Sequence, residues 1–145
     1  MNLDTIDFKI LNQLRNDAKL TTKHLALQVN LSPTAVFERI KKLERNQVIA
    51  GYQAKINPFK VNLSFLAFCM VQLEKHTQEY LNVFESEVNQ LEAVVECNHV
   101  SGSYDYLLKV RVKDMDAYRE FIVTKLTKIP YIANTQSAFS MKVVK

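Results

Sequence analysis

Residues 25–45 read LALQVNLSPTAVFERIKKLER and predict two helices joined by a tight turn. Ser32 followed by Pro33 is a strong helix start, because serine caps the first turn and proline lacks the N–H that would stay unpaired there. We expect this helix to end at Arg45. Asn30 lies in the turn, where asparagine tolerates a left-handed backbone better than most residues. The pattern is typical of a helix-turn-helix, which places its second helix in the major groove of DNA.

The residues on either side of this motif predict a first helix before it and a short extended segment after it. Asp4 and Asp7 stand at the start of a first helix, where carboxylates favour the positive end of the helix dipole. After the helix-turn-helix, residues 48–56 are expected to form a short extended segment. Asn57-Pro58 then breaks the pattern, which indicates a linker.

The second half has a different apolar pattern, which predicts elements in the order strand, helix, strand, strand, helix, strand. The expected elements are strand 63–73, helix 78–91, strand 93–100, strand 104–112, a helix that begins at Asp114 and ends at Pro130, and strand 131–144. This order predicts a ferredoxin-like fold, whose helices cover one face of the sheet. Leu66, Phe68 and Met70 would then lie on the bare face. Pairing two such faces would cover them, so we expect a homodimer.

Charge is unevenly distributed over the 145 residues. Residues 1–60 carry ten Lys/Arg and five Asp/Glu, whereas the remainder carries nine and ten. The basic half suggests a polyanionic partner. No apolar run is long enough to span a membrane and no signal peptide is evident, so we expect a cytoplasmic protein that binds no membrane. Cys69 and Cys97 match neither a disulfide framework nor a metal site.

The outward face of the third helix supplies the candidate DNA contacts. Thr34 and Glu38, near the helix start, are candidates for base contacts, and Lys41, Lys42 and Arg45 suit phosphates. Arg39 lies at the edge of the buried stripe, where it would either reach a phosphate or brace the domain through an acidic residue. The full candidate set is Ser32, Thr34, Phe37, Glu38, Arg39, Lys41, Lys42 and Arg45.

No catalytic or metal-binding constellation is evident, and the chain has only two glycines. Gly102 lies within Val100-Ser101-Gly102-Ser103-Tyr104-Asp105, a turn rich in hydroxyls with one carboxylate. Such a loop would hold the ammonium and carboxylate groups of an amino acid. An ordinary hairpin turn is the alternative, and the residues alone favour it.

These features together resemble the Lrp/AsnC family, the leucine-responsive and asparagine-operon regulators, over nearly the whole chain. The matching stretches are Asp4…Asp7…Ile10-Leu11…Leu14, Leu25-Ala26…Val29…Leu31-Ser32-Pro33…Val36…Arg39-Ile40…Leu43-Glu44, Val48-Ile49…Gly51-Tyr52, Val100 to Leu108, Asp114-Met115…Tyr118 and Leu126…Ile129-Pro130. The second half is most similar to the leucine-responsive branch. The resemblance implies a transcriptional regulator with an α+β fold. Its expected parts are a winged helix-turn-helix over residues 1–52, a linker over 53–62 and a ferredoxin-like effector domain over 63–145.

The resemblance further implies that a free amino acid binds between dimers, which often assemble into octamers, and changes assembly or DNA affinity. No cofactor is expected besides this effector. The effector residues it implies are Val100, Ser101, Gly102, Ser103, Tyr104, Asp105, Met115, Ala138, Phe139 and Ser140.

Several positions depart from the family pattern. Gln47 stands where glycine is usual, which costs on the order of 1 kcal/mol if the backbone there is left-handed. Lys19 replaces an arginine, and Tyr131-Ile132 replaces glycine-valine. Ala138 is small where an aromatic residue is common, so the effector need not be leucine.

Two other functions share parts of this pattern. Siroheme decarboxylases have a similar two-domain architecture. In this chain His99 and Arg111 are the candidate pair for the histidine and arginine that such an enzyme would need. The basic third helix argues against that function and favours a regulator without enzymatic activity. An effector-independent DNA-organising protein shares every N-terminal feature and differs only in ligand binding.

Overall fold

The computed structural model of the protein describes residues 2–144. Contacts between residues divide it into two compact units, of which the first ends at Ile56 and the second begins at Asn57. That boundary falls inside the segment 53–62 expected to be a linker. No helix within residues 2–144 is long and apolar enough to cross a bilayer.

Three helices build the N-terminal unit: α1 (Thr5–Asn16), α2 (Thr22–Val29) and α3 (Pro33–Arg45). Each begins with a side-chain cap, from Asp4, Thr21 and Ser32 respectively. These oxygens accept backbone N–H groups that the first turn leaves unpaired. The observed range of α3, Pro33–Arg45, confirms its predicted bounds.

The buried apolar side chains of this unit come from all three helices. They are Ile10, Leu25, Ala26, Val29, Val36 and Leu43. Asn30 ends α2 with φ 54° and ψ 48°, which confirms the left-handed turn. Gln47 also has a positive φ, of 57°. A glutamine therefore occupies a left-handed position after α3, at a cost of about 1 kcal/mol.

The segment after α3 differs from a regular strand. Residues 48–56 were expected to be extended, yet within the described chain they form no strand ladder. Strands of the described residues begin only at Phe65. The Val48 and Ile49 N–H groups donate instead to the Leu43 carbonyl near the end of α3, at 2.9 and 3.2 Å, so the start of the segment forms a turn and not a strand.

The C-terminal unit contains a four-stranded antiparallel sheet and two α-helices. Its elements are β1 (Phe65–Leu73), α4 (Gln78–Val88), β2 (Val94–His99), β3 (Tyr106–Val112), α5 (Met115–Thr124) and β4 (Ile132–Phe139), with short 3-10 turns at Pro58–Lys60 and Leu126–Lys128. The strand order β2-β3-β1-β4 confirms the ferredoxin-like topology.

The predicted strand starts differ from the structure by one or two residues, and three predicted ends in this unit were wrong by three residues or more. Helix α4 stops at Val88, α5 stops at Thr124 instead of reaching Pro130, and β4 stops at Phe139. In α5 the Thr124 hydroxyl donates to the Glu120 carbonyl, and the Thr127 hydroxyl donates to the Ile122 carbonyl. Threonine hydroxyls that bond the backbone in this way compete with the regular helix pattern.

The two faces of β1 lie in different environments, because successive side chains of a strand point to opposite faces of the sheet. Ala67, Cys69 and Val71 are fully buried within the core cluster formed with the helices. On the other face Leu66 is buried, whereas Phe68 and Met70 are only partly covered. The second face is therefore apolar and incompletely covered within one protomer.

Candidate functional site

Helix α3 presents a continuous polar face to solvent. Val36 and Leu43 are fully buried against the N-terminal core, which turns the opposite side outward. The candidate DNA contacts that are exposed are Ser32, Thr34, Phe37, Glu38, Lys41, Lys42 and Arg45. Seven of the eight candidate DNA contacts therefore lie on an accessible surface, and the Ser32 hydroxyl also caps the helix by accepting the Ala35 N–H at 3.2 Å.

Arg39 is the eighth candidate, and its guanidinium faces α1 instead. Its Nη1 donates to Asp4 Oδ2 and to Asp7 Oδ1, both at 2.7 Å. The hydrogen bonds that Arg39 donates to Asp4 and then to Asp7 raise the pKa of Arg39. The Asp7 N–H, and next the Arg39 guanidinium, donate to the Asp4 carboxylate and lower its pKa. Of the two roles open to Arg39, the structure therefore shows the brace that joins α3 to α1.

Two residues near the end of α3 were not predicted as part of this surface: Glu44 in its last turn and Tyr52 beyond it. Glu44 Oε2 lies 2.9 Å from Lys41 Nζ, and Glu44 Oε1 accepts the Tyr52 hydroxyl at 3.0 Å. The Lys41 ammonium also lies 5.7 Å from the centre of the Phe37 ring. The i,i+3 spacing of Lys41 and Glu44 was a visible signal for their pairing, whereas no local pattern links Tyr52 to the helix.

In the C-terminal unit the loop 100–105 is closed by backbone hydrogen bonds. The Val100 N–H donates to the Asp105 carbonyl at 2.8 Å, and the Asp105 N–H donates to the Val71 carbonyl at 2.8 Å. Gly102 has φ 131°, a conformation that residues with a side chain rarely adopt. Ser101, Gly102 and Ser103 remain exposed at the tip.

The Asp105 carboxylate points inward, away from the exposed tip of the loop. The residue is 2% exposed, and its Oδ2 accepts the Leu73 N–H at 2.7 Å. Its Oδ1 lies 2.9 Å from His76 Nδ1 on the connection between β1 and α4. His76 was not predicted as part of this region, because only the fold brings it to Asp105.

The other predicted effector residues lie toward the opposite end of the sheet. Phe139 pairs with Ala67 on β1, whereas Tyr106, next to the loop, pairs with Val71. Four residues of a strand span about 13 Å. Ala138 faces the bare side of the sheet and Phe139 the helix side, since neighbouring strand residues alternate.

The ten effector candidates thus form two groups that one protomer does not bring together. The first is the loop Val100–Asp105, and the second is Met115, Ala138, Phe139 and Ser140. A separate open cleft of about 530 Å³ lies between the α4–β2 turn and α5 and is lined in part by Leu91, Val112 and Phe121. It contains none of the ten residues.

The residues of the enzyme alternative do not converge on a site. His99 stacks on Tyr106, with ring centroids 4.8 Å apart. Arg111 is paired with Leu66 near the other end of the strand and donates to the Leu63 carbonyl at 3.3 Å. Among residues 2–144 no group of His, Cys, Asp and Glu side chains is arranged to hold a metal ion.

Comparison with known proteins separates the chain into the same two parts as the compact units. Residues 3–50 match the winged helix-turn-helix DNA-binding domain. Residues 66–145 match the Lrp/AsnC ligand binding domain, which covers more than half of the chain. The protein belongs to the Lrp/AsnC family. It is a DNA-binding transcriptional regulator and not an enzyme.

Individual Lrp/AsnC relatives extend over nearly the whole chain. The leucine-responsive regulatory protein of Escherichia coli K12 is 40% identical over 144 residues, which are 99% of this chain and 88% of that protein. A transcriptional regulator of Neisseria meningitidis solved as an L-Met complex superposes with a TM-score of 0.94 at 32% identity, covering 99% of this chain and 93% of that one. An AsnC family regulator of Agrobacterium tumefaciens gives 0.93 at 38% identity, with the same coverage.

Proposed function

We propose that this regulator reads DNA through the exposed face of α3 and that a free amino acid modulates its assembly or DNA affinity. The observation that carries the first part is the outward face of α3, where seven candidate side chains are exposed and three of them are cationic. Thr34 and Glu38 would contact base edges, and Lys41, Lys42 and Arg45 would contact phosphates. Arg39 would act through its brace to α1.

Replacing Lys41 with alanine is expected to weaken binding to all DNA sequences to a similar degree. Each phosphate contact releases counterions, so the slope of log affinity against log salt should fall by about one unit for each recognition helix on the DNA. Fluorescence anisotropy over a KCl series measures both quantities. Glu38→Ala is the matched comparison on the same helix face, and it should change sequence preference. An unchanged slope in Lys41→Ala would remove this residue from the phosphate contacts.

For the effector, we propose a site completed by a second copy of the chain. The loop 100–105 and the group around Phe139 lie toward opposite ends of one sheet, so a site that uses both needs residues from another protomer. The incompletely covered face of Leu66, Phe68 and Met70 supports a homodimer. Further assembly to an octamer would bring the loops and sheet ends of different dimers together.

A thermal-shift screen against the twenty amino acids tests the effector proposal, with L-leucine and L-methionine as the first probes. A ligand that binds only the folded state raises the melting temperature by mass action. The matched variant is Ser101→Ala combined with Ser103→Ala, because both side chains are exposed. A selective rise that shrinks in this variant supports the loop. No rise with any amino acid would favour an effector-independent DNA-organising protein.

The same proposal covers location and cofactors. We infer that the protein acts on the nucleoid in the cytoplasm and needs no cofactor besides the effector. The basic N-terminal half supports a nucleic-acid partner.

A further inference from the structure

The Glu44 carboxylate joins α3 to the segment that follows it. One oxygen faces Lys41 Nζ at 2.9 Å, and the other accepts the Tyr52 hydroxyl at 3.0 Å. Tyr52 belongs to the segment 48–56, which carries no strand pairing in the described chain and ends where the C-terminal unit begins. One carboxylate is therefore shared between a candidate phosphate-binding lysine and the chain leading toward the ligand-binding domain.

In the free protein this arrangement holds the Lys41 charge along the helix surface. Glu44 lies on one side of the ammonium and the Phe37 ring, 5.7 Å away, on the other. The hydrogen bond from Lys41 and then that from Tyr52 lower the pKa of Glu44, which keeps its carboxylate charged. A DNA phosphate would have to replace Glu44 as the partner of Lys41, because both are anions that bind the same ammonium.

The Tyr52 hydroxyl is the second side-chain partner of the Glu44 carboxylate. Burial and then the bond to Glu44 raise the pKa of Tyr52, so the hydroxyl remains a donor near neutral pH. While it donates to Oε1, part of the carboxylate charge is satisfied by Tyr52. Loss of this bond would leave Glu44 with Lys41 as its remaining side-chain partner among the described contacts and would strengthen their pairing.

We propose that Glu44 competes with DNA for Lys41, and that Tyr52 weakens this competition. Glu44 and Tyr52 are positioning residues, since they act on DNA affinity through Lys41. The inference rests on the proposed phosphate contact of Lys41. It gives the segment 48–56 a physical means of changing DNA affinity, because any displacement of Tyr52 changes the strength of the Glu44–Lys41 pair.

A double-mutant cycle tests the competition. Affinity for a 30-base-pair mixed-sequence duplex is measured by fluorescence anisotropy at several KCl concentrations for wild type, Glu44→Gln, Lys41→Ala and the double variant. Glutamine keeps the shape and can still accept the Tyr52 hydroxyl. Since exposed ion pairs are weak, we expect Glu44→Gln to tighten binding about two- to fivefold for each helix on the DNA, and to give no gain in the Lys41→Ala background.

The other outcomes are distinct. An equal gain in both backgrounds would show a general effect of net charge and would overturn the competition, as would no gain in either. If Lys41→Ala keeps the wild-type salt slope, the proposed phosphate contact itself fails. If that slope falls while Glu44→Gln changes nothing, only the competition fails.

Tyr52→Phe tests the second step, since it removes the hydroxyl and keeps the ring. We expect DNA affinity to fall by up to about twofold in the wild-type background and to stay unchanged in the Glu44→Gln background. A loss of equal size in both backgrounds would show that Tyr52 acts independently of the Glu44 charge. Far-UV circular dichroism of each variant confirms that the helices are retained.

Discussion

Asp105→Ala should lower the free energy of unfolding of the C-terminal unit by about 2–3 kcal/mol. The carboxylate is buried and accepts the Leu73 N–H at 2.7 Å. Alanine leaves that N–H without its partner, and an unsatisfied buried donor costs more than the mean value of a hydrogen bond. The change also removes the contact with His76 and loosens the start of β3 against the end of β1.

Urea denaturation followed by tyrosine fluorescence measures this loss selectively. The chain has no tryptophan, and five of its six tyrosines lie beyond residue 56, so the signal comes mainly from the C-terminal unit. Asp105→Asn retains an oxygen for the Leu73 N–H and should lose less. His76→Ala should cost under about 1 kcal/mol, because the imidazole is mostly exposed. A midpoint for Asp105→Ala equal to wild type would contradict the structural role of this carboxylate.

The expected instability changes what an Asp105 variant can show about ligand binding. A lost thermal shift in Asp105→Ala would follow from loosening of the loop even if the carboxylate never contacted a ligand. Ser101 and Ser103 are exposed at the loop tip. Their hydroxyls can therefore be removed without disturbing the buried hydrogen bonds, which makes them the better probes of an effector site.

The features predicted correctly from sequence depend on neighbouring residues. The start of α3 at Pro33 follows from the Ser32 cap, and the left-handed Asn30 follows from the short turn between two helices. The order of strands and helices follows from apolar periodicity, which one segment displays without reference to the others. These local signals were sufficient for the fold and for the exposed face of α3.

The features that were missed depend on residues far apart in the chain. The contact between Asp105 and His76 joins positions 29 residues apart, and Arg39 meets Asp4 across 35. The amphipathic pattern of α3 could not decide whether Arg39 points to DNA or to α1. Similarly, the sequence of β4 did not show that Ala138 and Phe139 lie far from the loop 100–105, since that separation follows from strand register.

Breaking the ion pair of Arg39 and Asp7, which braces α3 against α1, should have the second large effect on stability. Asp7 is 5% exposed, and besides Arg39 it accepts the Asp4 N–H at 3.1 Å, which completes the capping box of α1. Asp7→Ala removes one partner of Arg39 and one partner of the cap. We expect the N-terminal unit to lose about 2 kcal/mol of unfolding free energy, measured by far-UV circular dichroism during urea denaturation.

DNA binding distinguishes this brace from a phosphate contact by Arg39. If Arg39 positions α3, Arg39→Gln and Asp7→Asn should each weaken DNA binding about tenfold and leave the slope of log affinity against log salt at its wild-type value. The charge changes of these variants are opposite in sign, so a shared loss of affinity cannot come from net charge.

If Arg39 contacts phosphate instead, Arg39→Gln should lower the slope by about one unit per helix, as Lys41→Ala does, and Asp7→Asn should not weaken binding. Lys41→Ala, measured beside them, shows that the assay resolves a lost phosphate contact. The brace therefore predicts that removing a positive charge and removing a negative one have the same consequence, because each breaks the pair that aligns α3 with α1.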